Sequence, residues 1–63
     1  MKELIARSSV QLGTCLRMLY SEGIEFDVKV RETDQRKIIF AVGIYADDQT
    51  FAKLDEKFRI LTS

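Results

Sequence analysis

The chain has 63 residues, ten basic and ten acidic, with 46% apolar side chains, one cysteine, and neither histidine nor proline. That length accommodates one domain, 1–63. Zero net charge argues against a nucleic-acid binder that works by bulk electrostatics, and a single thiol without histidine leaves neither an intramolecular disulfide nor the usual Cys/His zinc site.

A core of this size supplies about 3–5 kcal/mol, and small domains add a disulfide, a metal or a partner subunit. With the first two excluded, association with a second copy or with another protein gains weight. The longest apolar run, 38–46, falls far short of the ~20 residues of a membrane helix. The opening Met1-Lys2-Glu3-Leu4 carries no signal-peptide core. The expectation is a cytoplasmic protein, its thiol kept reduced, with no membrane partner and no cofactor.

Residues 2–7 are too short for a stable helix and read as a strand around Leu4 and Ile5. Ser8 with Gln11 then matches a capping box. Leu12, Cys15, Leu16 and Leu19 follow at i, i+3, i+4, i+7, one apolar helix stripe. Gly13 weakens this helix, unless it admits a close approach to the sheet. Gly23 and then Ile24 suit a left-handed cap with its hydrophobic contact.

From Ile24 the period changes to two. Ile24, Phe26, Val28 and Val30 alternate with Glu25, Asp27, Lys29 and Arg31, which predicts a strand with one buried and one wet face. The polar stretch 32–36 reads as a hairpin turn. Strand 37–45 is apolar or small on both faces: Ile38, Phe40, Val42 and Ile44 on one, Ile39, Ala41, Gly43 and Tyr45 on the other. Such a strand is central in its sheet or covered on both sides. Asp47-Asp48 starts a second helix, with Phe51, Leu54 and Phe58 on one face. For 59–62 a short closing strand competes with continuation of the stripe through Leu61, and the reading leans to the strand.

The fold class is α+β, in the order β-α-β-β-α with or without a final β, two helices on one face of an antiparallel sheet: the split βαβ, or ferredoxin-like, arrangement. The right-handed crossover places 37–45 in the middle of the sheet. In the helix exit "SEGIEFDVKV" and the hairpin into "KIIFAVGIY", the chain resembles small regulatory domains of the ACT type and other short βαββα modules of bacterial signalling proteins. That resemblance implies a small ligand, often an amino acid, held near the loop after the first strand, here Arg7-Ser8-Ser9, and at a dimer interface.

Each candidate for chemistry has a plainer account. Cys15 lies on the apolar stripe and reads as a buried small hydrophobe rather than a nucleophile. Ser8 and Ser9 lack a histidine base and read as helix caps, with a ligand loop as the alternative. Asp47-Asp48 lacks the ligand series of a calcium loop, and three isolated glycines make no phosphate loop. RNA-recognition domains share this element order, but their stacking platform needs aromatics where this chain has Ile39, Ala41 and Gly43, with Tyr45 alone aromatic. No nucleic-acid partner is expected.

The outward face of 37–45 remains. With helices on one side only, Ile39, Ala41 and Tyr45 would be exposed, with Gly43 allowing close approach. The preferred expectation is a non-enzymatic binding or regulatory module that self-associates as a homodimer through its sheet, with Ile39, Ala41, Gly43 and Tyr45 central. The alternatives are a small inhibitor or adaptor of the phage-encoded kind, docking on a larger protein by adding strand 25–31 to its sheet, and an ACT-like small-ligand sensor at Ser8 and Ser9.

Overall fold

The computed structural model describes residues 2–63. The order is β1 (Lys2–Ala6), α1 (Ser9–Glu22), β2 (Phe26–Glu32), β3 (Ile38–Ile44) and α2 (Asp48–Thr62). The sheet is antiparallel throughout, in the order β1-β3-β2. The strand apolar on both faces is therefore the central one, as its composition requires.

Local chemistry sets the boundaries of α1. The Ser8 hydroxyl accepts from the Gln11 N–H at 3.1 Å, and the Gln11 side chain reaches back to the Arg7 N–H at 2.9 Å. At the other end Gly23 adopts φ 67°, where a side chain would be strained. Gly23 N–H then donates to the Tyr20 carbonyl and Ile24 N–H to the Leu19 carbonyl, the paired bonds of a Schellman cap. An added Cβ at Gly13 would meet nothing within 4 Å, so this glycine does not serve a close approach to the sheet.

The core lies between both helices and one face of the sheet. Leu4 and Ala6 of β1, Val42 and Ile44 of β3, Cys15, Met18 and Leu19 of α1, and Leu54 and Phe58 of α2 form a single buried cluster. Burying a leucine such as Leu19 contributes about 1.5–3 kcal/mol. Met18, outside the expected stripe, is buried because α1 packs against α2 as well as against the sheet; it lines their seam with Lys57 and Leu61.

Three expectations need correction. Residues 59–62 are not a strand; they are the last turn of α2. The 51-54-58 stripe persists through Leu61, Arg59 pairs with Asp55 one turn back at 3.3 Å, and the Thr62 hydroxyl donates to the Phe58 carbonyl. The inner face of β2 is not fully buried: Val30 is 65% and Phe26 36% exposed, and Val28 is partly covered. Both helices pack where β1 and β3 contribute the buried residues, leaving β2 as an overhanging edge. Ile38, on the same face and opposite Glu32, is exposed too. Third, Ala41 is not exposed on the bare face; it is 0% exposed.

The hairpin explains how β2 is held. Thr33 N–H donates to the Lys37 carbonyl and Arg36 N–H to the Thr33 carbonyl, with Arg36 at φ 60°. This is a type I turn closed by a bulge residue in the left-handed region, a position that favours glycine.

Candidate interaction surface

The residues singled out on the bare face do not form a uniform apolar patch. Ile39 is half-buried, Ala41 and Gly43 are buried, and Tyr45, just past the end of β3, is 55% exposed. Ile5 and Lys29 flank Ala41 on the neighbouring strands, and an ion pair crosses the same face. Arg31 on β2 bonds Glu3 on β1 at 3.1 Å, although β3 lies between them. Arg31 stands opposite Ile39 and Glu3 opposite Gly43, so the bridge crosses β3 diagonally over Ala41. Small side chains at 41 and 43 leave room for that crossing.

The serine loop is occupied by structure. The Ser8 hydroxyl caps α1, as described, and Ser9 is the first residue of the helix. The nearby cleft is lined by Arg7 and by Thr33, Asp34, Gln35 and Lys37 of the hairpin rather than by the two serines. At α2, Asp47 accepts from the Thr50 N–H at 2.9 Å. Thr50, through its side chain first and then its backbone N–H, holds the Asp47 carboxyl below its ordinary 3.8. Both features stabilise helix ends. Cys15 is buried, and burial pushes its thiol up to about 11, so little thiolate exists at neutral pH.

Chain geometry fixes what the sheet edges offer. Tyr45 N–H donates to the Glu25 carbonyl at one end of the β2–β3 ladder, and Thr33 N–H to the Lys37 carbonyl at the other. Antiparallel pairing alternates, so the odd-numbered residues of β2 direct their N–H and C=O groups to β3. Phe26, Val28, Val30 and Glu32 direct theirs outward. By the same alternation Glu3 and Ile5 face outward on β1, and beyond them Gln11 already takes the Arg7 N–H. The β1 edge is thus short and closed at one end, whereas the β2 edge runs the length of the strand.

Among the described residues, Glu25, Asp27 and Lys29 make no ion pair within the chain. They alternate with Phe26, Val28 and Val30 along the open edge. From sequence these charges read as a solvated face, with a salt-bridged partner surface as the alternative; their neighbourhood to exposed apolar residues comes from the structure. The signal was present in the order Glu-Phe-Asp-Val-Lys-Val-Arg over 25–31, acids in the first half and bases in the second.

No helix among the described residues is long and apolar enough to cross a membrane. The chain finds no match among protein-family models, curated proteins or solved structures.

Proposed function

We propose that this chain is a non-enzymatic binding module that self-associates through its sheet, on a ferredoxin-like split βαβ scaffold. The strand order β1-β3-β2 with both helices on one face supports the scaffold. The observation that carries the functional reading is the incomplete sheet: a free β2 edge with Phe26, Val30 and Ile38 uncovered beside it, on a 63-residue chain with one small core. An apolar strip next to open main-chain groups is a template for strand pairing, and proteins that stay monomeric blunt such edges. A role without catalysis is supported by the side chains that could do chemistry: Cys15 is buried and protonated, and the Ser8 hydroxyl is committed to its cap.

The direct test is mass in solution. Sedimentation equilibrium of the purified chain at micromolar concentration should give about twice the 7.3 kDa of one copy. A monomer up to millimolar concentration would sink the reading.

A further inference from the structure

We propose that two copies of this chain join through their β2 edges, antiparallel about a two-fold axis at Val28, to form one continuous sheet. The assignment rests on the self-association reading and names its surface. In that register Val28 faces Val28 of the second copy, and their outward N–H and C=O groups bond reciprocally. Phe26 faces Val30 of the second copy in the same manner, since both also present their main-chain groups outward.

Charge then selects this register. About Val28, Asp27 falls opposite Lys29 of the second copy, and Glu25 opposite Arg31. A two-fold interface repeats each pair, so acid meets base at all four charged positions from 25 to 31. A shift of the axis by one residue, to Lys29, would keep even-numbered residues opposite one another and so keep the main-chain bonds, but it would set the two lysines against each other, with Asp27 opposite Arg31 as the remaining acid–base pair. The strand is therefore complementary without a like-charge pair about Val28, and less so about Lys29. Lys29, Asp27 and Glu25 have no partner within the chain among the described residues, and this pairing supplies one.

The apolar side agrees. Phe26 and Val30 project to the helix side of the sheet, where Val30 stays mostly and Phe26 partly open to solvent. Tyr20, 85% exposed, stands on the flank of α1 turned away from the α2 seam formed by Thr14, Met18 and Ser21. Joining the β2 edges places Phe26 and Val30 of both copies side by side as cross-strand neighbours and so shields each from water on the edge side. The bare face offers less, because the Arg31–Glu3 bridge covers Ala41.

Charge exchange tests the pairing. Asp27→Lys leaves only bases about the axis on its central positions, and Lys29→Asp leaves only acids. Each variant should dimerise at least about tenfold more weakly than the wild type, since attraction becomes repulsion at symmetry-related pairs. Mixing the two should restore a dimer containing one of each. Both side chains are exposed, so an unchanged circular-dichroism spectrum and melting curve at dilution would establish that each variant folds. Ile39→Asp, on the bare face, should leave the dimer intact. A dimeric wild type unaffected by either charge variant, or one dissociated by Ile39→Asp alone, would overturn the β2 assignment while leaving self-association standing. A monomeric wild type would overturn both.

Discussion

β1 and β2 flank the same central strand and both alternate in side-chain direction, yet the helices treat them differently. β1 is short, and its inward residues Leu4 and Ala6 are buried under α1 and α2. β2 is longer and has the cleaner apolar alternation, but its inward Phe26 and Val30 stay exposed. Two helices cover about two strands' width, and topology decides which strand is left out. Strand pattern reports which residues share a face; it does not report whether another layer reaches that face.

The largest expected effect follows from that contrast. Leu4→Ala should cost about 2–5 kcal/mol in urea denaturation, because the cavity opens beneath both helices. Val30→Ala should cost less than about 0.5 kcal/mol at dilutions where the chain is monomeric and the edge is free. A Val30 penalty that grows with protein concentration would show that a second copy covers the strand, through the mass-action stabilisation that binding confers. Equal penalties at the two positions at every concentration would break the comparison.

Features governed by neighbours along the chain were legible in the sequence. Ser8 with Gln11, Gly23 with Ile24, and Asp47 each act within one helical turn, and their residue types suffice to identify them. The central position of β3 was legible because few other environments accept apolar residues on both faces. What escaped depended on distant contacts. Burial of Met18 requires α2 beside α1. Burial of Ala41 depends on side chains of both flanking strands, with Ile5 and Lys29 opposite it and Arg31 reaching Glu3 across the same face. The end of α2 was misjudged because Ile60-Leu61-Thr62 has high strand propensity, and propensity yields to an established helical stripe with an ion pair one turn back. The proposed interaction surface is half legible: strand 25–31 reads as an edge able to add to another sheet, while its charges read equally as a solvated face or as a salt-bridged partner surface until the register of β2 is known.

Because little packs onto β2, its placement depends on its two ends, and substitutions there sharpen the comparison next. Gly23→Ala forces a side chain into the left-handed region at φ 67° and should cost about 1–2 kcal/mol. Arg36→Gly should act in the opposite sense. Arg36 holds φ 60° at the bulge that closes the hairpin, and glycine relieves that strain, for a gain of about 0.5–1 kcal/mol. Both are read as shifts in denaturation midpoint. A neutral Arg36→Gly would mean that the greater freedom of glycine in the unfolded chain offsets the relieved strain.

The smallest effect concerns a side-chain link between the two edges. Arg31 and Glu3 meet across β3 with side chains 51% and 25% exposed, so solvent screens the pair and its coupling should be only about 0.2–1 kcal/mol. A double-mutant cycle with Arg31→Ala and Glu3→Gln measures it, and high salt should reduce it. If β2 pairs with a second copy as proposed, Arg31 divides its guanidinium between Glu3 of its own chain and Glu25 of the other. The Arg31–Glu3 coupling should then fall as protein concentration rises and the dimer fills. A coupling that stays constant across the monomer–dimer transition would mean that Arg31 remains with Glu3 alone, and that the outermost charge pair contributes nothing to association.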